Sequence, residues 1–109
     1  MDYQRNVLKN LIEDSKTINS AVFKLSRFLI LALTAYIKDG LQFRELKALL
    51  NVSDGKLQSD LNKLREMGYL EKFKVEMDTK HVTIYMITET GQKELTKMVQ
   101  LTELIKRGE

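Results

Sequence analysis

Residues 53–69, with the sequence SDGKLQSDLNKLREMGY, decide how this chain folds. Leu57, Leu61 and Leu64 recur at the i, i+4, i+7 spacing that places side chains on one face of an α-helix. Short polar groups and amines lie on the opposite face: Lys56, Gln58, Ser59, Asn62 and Lys63. The stretch therefore predicts a helix that packs on one side and offers hydrogen-bonding groups on the other.

The residues just before this stretch predict a shorter helix and a tight turn. Apolar residues at helical spacing predict a helix at 43–50, and Asn51-Val52-Ser53 separates it from the longer helix. Asn51 tolerates a left-handed conformation, and Ser53 is a favoured N-cap residue. A short helix, a tight turn and a longer helix with a polar outer face form a helix-turn-helix unit.

After Gly68 the apolar period changes from that of a helix to that of a strand. Apolar and polar side chains alternate along 69–77 and again along 81–87, and the residues between them, Asp78-Thr79-Lys80, are polar. Two alternating runs around a short polar segment predict a β-hairpin. Residues 41–42, ahead of the helix-turn-helix unit, are expected to form a short extended link.

Three further helices are predicted around these elements. Apolar stripes predict helices at 3–14 and 89–106, the second capped by Thr88, and a helix at 21–37 that begins after Asn19 or Ser20. The helix at 21–37 is apolar almost all the way round, whereas a helix buried on one side needs a stripe only about 100° wide. Its surplus apolar surface must be covered by the terminal helices or by another chain.

The composition limits the chemistry that this chain can perform. Its 109 residues predict a single domain, 1–109, with a core at 20–91. The chain has no cysteine and one histidine, His81, so neither a thiolate zinc site nor a Cys-His nucleophile pair can form. The carboxylates are scattered, and no apolar run is long enough to cross a bilayer. We therefore expect a cytoplasmic protein that is not an enzyme and needs no cofactor.

Three separated motifs occur in the middle of the chain. They are FREL at 43–46, VSDGKL at 52–57 with GYL at 68–70, and IYMITETG at 84–91. In order and spacing the chain resembles the small winged helix-turn-helix transcriptional regulators related to the MarR, PadR and ArsR families, and the likeness covers 41–91. The resemblance implies a mainly α fold with a β-hairpin (α+β), to which N- and C-terminal helices are added. It also implies DNA binding, with the recognition helix 53–67 in the major groove and the wing 69–87 on the backbone or in the minor groove.

Some positions depart from the pattern of these regulators. Lys56 and Asp60 stand where they more often have Asn and His, and Asn51 stands where Gly is usual. The wing tip carries Lys80 and His81, where some of them have two arginines. Two alternatives remain for Asp60: it pairs with Lys56 one turn earlier, worth roughly 0.2–0.5 kcal/mol, or it accepts a hydrogen bond from a cytosine amino group.

The favoured hypothesis is a sequence-specific regulator that binds double-stranded DNA as a homodimer, joined by its terminal helices and the exposed side of the helix at 21–37. Gln or Asn can read adenine and Lys can read guanine, whereas contacts to phosphate fix the register. The residues expected to contact DNA are Arg44, Lys56, Gln58, Ser59, Asn62, Lys63, Lys72, Lys74, Lys80 and His81. The operator sequence and the sign of regulation do not follow from these residues.

The rival hypothesis is a winged-helix protein-interaction module that does not bind DNA. It is favoured by the charge, because residues 38–82 hold nine basic residues against eight acidic ones and the whole chain carries only +3. A strongly basic patch, the usual mark of a nucleic-acid binder, is therefore missing. A pocket for a small-molecule effector beside the helix at 21–37 is a further possibility, although no convergent polar groups mark it.

Overall fold

The structure, a computed structural model, describes residues 2–107, so residues 1, 108 and 109 of the predicted domain lie outside the described part. Five helices and three strands follow one another along it: α1 (Asp2–Ser15), α2 (Leu25–Tyr36), β1 (Leu41–Gln42), α3 (Phe43–Leu50), α4 (Asp54–Glu66), β2 (Leu70–Met77), β3 (Lys80–Ile87) and α5 (Glu89–Arg107). The predicted fold class, mainly α with a β-hairpin and extra terminal helices, is confirmed.

The three strands form one antiparallel sheet in the order β1-β3-β2. The predicted link at 41–42 is thus a strand, because it pairs with β3. The hairpin of β2 and β3 closes through a two-residue turn, Asp78 and Thr79, with Asp78 at φ 58°. Lys80, which was expected in the turn, is instead the first residue of β3 and pairs with Met77.

The hydrophobic core lies where α2, α4, the sheet and α5 meet. The predicted stripe of α4 is confirmed, since Leu57, Leu61 and Leu64 are all fully buried. Burial of each leucine side chain contributes roughly 1.5–3 kcal/mol relative to exposure, which fixes one face of α4 against the domain. The rest of the core comes from several elements: Val22, Ile30, Leu31, Leu41, Leu46, Tyr69, Leu70, Tyr85 and Met98.

α2 begins at Leu25, so the prediction of a helix start at residue 21 is wrong. Residues 19–24 form a separate turn, in which the Asn19 side chain accepts a hydrogen bond from the Ala21 N–H at 3.0 Å. The N–H of Asn19 itself donates to Oε2 of Glu94 in α5, also at 3.0 Å. Asn19 therefore caps this turn and not α2, whose N-cap is Lys24.

The terminal helices and α2 keep much of their apolar surface exposed. α1 packs mainly on α5, and none of the α1 side chains that the structure describes is buried. In α2, Leu25 and Tyr36 are 73% and 86% exposed. The molecule measures 64 × 25 × 23 Å, and its radius of gyration of 16.6 Å exceeds the about 13 Å of a compact domain of this length. The apolar surplus of α2 is therefore not fully covered by the terminal helices of the same chain.

Candidate nucleic-acid interface

The turn between α3 and α4 fixes the orientation of α4 on the domain. Asn51 adopts the left-handed conformation (φ 54°, ψ 51°), and its N–H donates to the carbonyl oxygen of Lys47 at 2.8 Å. The hydroxyl of Ser53 accepts a hydrogen bond from the Lys56 N–H at 3.2 Å, so the predicted N-cap is confirmed. Lys47 also binds Asp54 across the turn, with Nζ 2.6 Å from Oδ1. These contacts and the buried leucines leave the polar face of α4 outermost.

Two amide side chains on that face are bonded to each other. Nε2 of Gln58 donates to Oδ1 of Asn62 at 3.0 Å, as the i, i+4 spacing allows. The bond holds both side chains side by side. Asn62 is exposed and Gln58 is half-buried, and the pair keeps further amide donors and the Gln58 oxygen that this bond does not use. An aligned amide pair is suited to the edge of a base.

The sequence interpretation did not single out Arg65 on the same helix. Arg65 is exposed and lines a shallow depression of about 340 Å³ together with Asn62 and Glu66. The signal was present in the sequence, because Arg65 follows Asn62 by three residues and therefore lies on the same side of the helix. Its guanidinium adds a bidentate donor to a face whose other basic residues are lysines.

Asp60 and Lys56 form an ion pair, as the first alternative for Asp60 predicted, with Lys56 Nζ 3.1 Å from Asp60 Oδ2. Two residues of α2 bind the same carboxylate: Ser26 Oγ donates to Oδ2 at 2.7 Å, and Arg27 Nε donates to Oδ1 at 3.0 Å. Burial alone raises the pKa of Asp60, but hydrogen bonds from Ser26, Lys56 and Arg27 outweigh it and hold the pKa below its usual range. The side chain is only 2% exposed, which removes the alternative of a cytosine contact.

Ser26 and Arg27 were not predicted as partners of α4. Arg27 is the one charged residue between Leu25 and Ile37. A single guanidinium inside an apolar stretch signals a buried acidic partner, because an unpaired charge is costly to bury. The sequence does not show which acid this is, since Asp60 lies 33 positions away.

Of the four residues of the wing that were predicted to contact DNA, three lie on one face of the sheet and the fourth lies on the other face. Directly opposed residues of antiparallel strands share a face of the sheet. The register places Lys72, Lys74 and His81 on the face that also carries the buried Tyr85, whereas Lys80 lies on the opposite face. Three of the four predicted wing contacts therefore point the same way.

The basic residues that were predicted to contact DNA also differ in whether they form an ion pair with a carboxylate of the same chain. Lys63 Nζ lies 3.8 Å from a carboxylate oxygen of Glu66, and His81 Nε2 lies 3.8 Å from one of Glu76. Within residues 2–107, four predicted basic contacts form no ion pair: Arg44, Lys72, Lys74 and Lys80. An anionic partner would therefore not have to displace a carboxylate of the described residues from these four.

A second buried polar cluster joins the base of the wing to α5. Oε2 of Glu94 accepts from the N–H of Asn19 at 3.0 Å, and its Oε1 accepts from the hydroxyl of Tyr69 at 3.3 Å. Nearby, Thr88 Oγ1 accepts from the Gly91 N–H at 3.0 Å, so the predicted cap of the last helix is confirmed. The wing is thus tied to α5 at its base.

The part of the chain that the structure describes contains no cluster of His, Cys, Asp or Glu that could hold a metal ion. None of the helices in residues 2–107 is both long and apolar enough to cross a membrane. A cleft of about 210 Å³ lies between α2 and α5, beside Phe23, Phe28 and Met98. This is the region in which the sequence allowed an effector pocket. The lining of the cleft is apolar apart from Lys24 and Thr102.

Comparison with known protein families gives one match that spans most of the chain. The model of a family described as the winged helix DNA-binding domain matches residues 26–105. This range contains α3, α4 and the whole hairpin. No curated protein sequence matches the chain.

Solved structures with a similar fold include several regulators. A transcriptional regulator homologue from Pyrococcus horikoshii is 19% identical over 94% of this chain and 96% of its own, with a TM-score of 0.67. MarR from E. coli in its apo form is 19% identical over 98% and 75%, with a TM-score of 0.66. A ZitR mutant from Lactococcus lactis in complex with DNA is 18% identical over 74% and 53%, with a TM-score of 0.59. At these identities the likeness shows a shared fold.

Proposed function

Because this chain belongs to the winged helix DNA-binding domain family, we propose that it is a transcriptional regulator that binds double-stranded DNA sequence-specifically as a homodimer. The observation that carries the proposal is the construction of α4. Three fully buried leucines hold one face of the helix, and the aligned amides of Gln58 and Asn62 occupy the other. A helix of this kind fits the major groove, where base edges differ in their donors and acceptors.

In this proposal α4 lies in the major groove and the wing lies on the backbone or in the minor groove. Gln58 and Asn62 read base edges, with adenine as the partner that an amide suits best. The unpaired charges at Arg44, Lys72 and Lys74 fall on phosphates, where contacts position the protein without reading sequence. The other proposed contacts are Lys56, Ser59, Lys63, Lys80 and His81. ZitR, a neighbour in fold, was solved in complex with DNA, which supports DNA as the partner.

The proposed homodimer rests on the exposed apolar side chains of the terminal helices. Leu8 and Ile12 lie one turn apart on α1 and are 60% and 57% exposed, while Val99 and Ile105 on α5 are 46% and 53% exposed. Apolar area of this kind is the usual driving force for association. A second copy would cover it and would supply a second recognition helix. Since the partner is DNA, we keep a cytoplasmic location as part of the proposal.

The test of DNA recognition is fluorescence anisotropy on two duplexes at several salt concentrations. One duplex is the best binder selected from random DNA, and the other is its scrambled copy. Gln58→Ala and Asn62→Ala should each cost about 1–3 kcal/mol on the selected duplex and should relax specificity. Lys74→Ala and Lys80→Ala should weaken binding to both duplexes alike and lower the salt slope by about one unit each.

Lys106→Ala is the matched control for the lysine variants, because it removes the same charge from the last turn of α5. It should leave both affinities and the salt slope unchanged. If Gln58→Ala and Asn62→Ala lose affinity equally for both duplexes, α4 does not read the sequence. If no variant changes binding, the DNA-binding proposal is refuted.

The dimer is tested by light scattering after gel filtration. The wild type should have twice the chain mass at micromolar concentration, and Ile12→Lys should shift it towards the monomer because a charge replaces an apolar contact. Asn10→Lys adds the same charge to an exposed polar position of α1 and should remain dimeric. A wild type that elutes as a clean monomer would contradict the homodimer.

The second candidate function remains a winged-helix protein-interaction module without DNA binding. It is favoured by the net charge of only +1 over residues 38–82 and by the acidic partners of Lys56, Lys63 and His81. Under this alternative the polar face of α4 stays in solvent and the exposed apolar helices bind another protein. Absence of binding to any duplex even at low salt would select it.

A further inference from the structure

A polar cluster with a buried centre joins α2 to α4. Its centre is the carboxylate of Asp60, which accepts from Ser26 Oγ at 2.7 Å and from Arg27 Nε at 3.0 Å. The side chains of Arg27 and Asp60 are only 9% and 2% exposed. Arg27 is itself fixed, because Nη1 donates to the carbonyl oxygen of Ala21 at 2.6 Å. Every buried polar side-chain atom of the cluster therefore has a partner.

A cluster of this kind fixes the relative orientation of the two helices more than it adds to the net stability of the fold. A buried ion pair loses its hydration, so apolar residues of the same size would often stabilise the fold as well or better. The leucine stripe of α4 already fixes which face of the helix packs inwards, but hydrophobic contacts depend on buried area and tolerate small changes of angle. The two charge-assisted bonds to Asp60 require fixed distances and angles, and they fix the rotation of α4 about its own axis relative to α2.

The same carboxylate holds a side chain of the proposed DNA-contacting set. Lys56 Nζ lies 3.1 Å and 3.3 Å from the two oxygens of Asp60 and 3.3 Å from Ser26 Oγ, with about half of the side chain exposed. A lysine ammonium on a flexible stem is otherwise free to move over several ångströms. Asp60 therefore fixes the position of an amine in the first turn of α4.

We propose that Asp60 is a positioning residue for DNA recognition: through Ser26 and Arg27 it sets the rotation of α4, and it holds the Lys56 ammonium in place. The inference rests on the proposed function of α4 as the recognition helix. Asp60 itself does not touch DNA, since its carboxylate is buried and fully bonded. Rotation of α4 moves Gln58 and Asn62 away from base edges while leaving the phosphate contacts of the wing in place.

The test compares Asp60→Asn with the wild type on the selected duplex and on its scrambled copy. Affinity for the selected duplex should fall about tenfold or more. Affinity for the scrambled duplex should hold or rise, because loss of the carboxylate leaves the charge of the half-exposed Lys56 uncompensated near phosphate. The measured quantity is the ratio of the two affinities, which a general loss of folded protein does not change.

Glu94→Gln is the matched control. Glu94 is a carboxylate of similar burial, 5% exposed, which is held by Asn19 and Tyr69 in the cluster between the wing base and α5. It makes no hydrogen bond to α4. Its variant should leave the affinity ratio unchanged, and circular dichroism with thermal melts should show folded protein in both cases.

Ser26→Ala keeps the inference testable if Asp60→Asn does not fold, because it removes a single hydroxyl and leaves the ion pair intact. It should lower the affinity ratio about threefold. An unchanged ratio in the folded variants would overturn the inference, as would an equal fall for Glu94→Gln. Absence of wild-type binding to any duplex would instead refute the proposed function on which the inference rests.

Discussion

Two glycines in the first turns of two helices should respond to the same substitution with opposite signs. At Gly91 in α5, a methyl group would overlap the carbonyl oxygen of Tyr69 and lie 2.8 Å from Cγ1 of Ile87. That oxygen cannot retreat, because it accepts a hydrogen bond from the N–H of Thr88 at 3.0 Å. At Gly55 in α4, the same methyl group meets no atom within 4 Å.

The magnitudes follow from these surroundings. Forcing a methyl group into a packed site costs about 1–3 kcal/mol, and the gain of alanine over glycine offsets about 0.4–1 kcal/mol of it. Gly91→Ala should therefore lower the free energy of unfolding by about 1–2 kcal/mol, whereas Gly55→Ala should raise it by about 0.4–1 kcal/mol. In urea titrations the midpoint of Gly91→Ala should fall by on the order of 1 M, given slopes of about 1–3 kcal/mol per M.

The refuting result is a Gly91→Ala midpoint at or above that of the wild type. It would mean that the first turn of α5 does not approach the Tyr69 carbonyl, so the junction between the wing and α5 would be wrong. A fall for Gly55→Ala would show that this glycine is not in open space.

Three further predictions concern stability. Leu61→Ala should lower the free energy of unfolding by about 2–5 kcal/mol because Leu61 is fully buried. Gln58→Ala should change it by no more than about 0.5 kcal/mol. Equal losses for the two variants in urea titrations would mean that the faces of α4 are reversed. Thr88→Ala removes the cap of α5 and should cost about 0.5–2 kcal/mol in thermal melts, against no change for the exposed Thr90→Ala. The pKa of Asp60 is lower in the folded protein than in the unfolded chain. The ionised carboxylate therefore stabilises the fold above the ordinary aspartate pKa of about 3.9, and this stabilisation is lost as pH falls through the pKa of Asp60 in the folded protein. The stability difference between wild type and Asp60→Asn should therefore shrink below about pH 4, and a difference that grows on acidification would contradict this.

Most of the fold could be predicted because its signals are local. The spacing of the leucines in α4, the Asn51 turn and the caps at Ser53 and Thr88 each depend on residues within one or two turns of each other. The two-residue pairing of β1 could not be predicted, because its partner in β3 lies more than 40 positions away. The start of α2 was misplaced because Asn19 caps a separate turn instead of the helix, and the acid that binds its N–H, Glu94, lies 75 positions away.

For the candidate site, residue types and helix faces could be predicted but partners across the core could not. The bonds between Gln58 and Asn62 and between Lys56 and Asp60 join residues four positions apart, which the helical period brings together. The burial of Asp60 depends on α2, and no local pattern shows it. The DNA contacts themselves stay a prediction, because they depend on a partner outside the chain.

The exposure of α1 has a consequence for the exchange of its amide protons with solvent. A helix with no buried side chain among those described opens at little free-energy cost, so its amides in a lone chain exchange quickly. Association with a second copy would protect them by mass action. Their exchange would then slow as the protein is concentrated, while the amides of the leucine-anchored α4 would exchange at the same rate in dilute and concentrated samples.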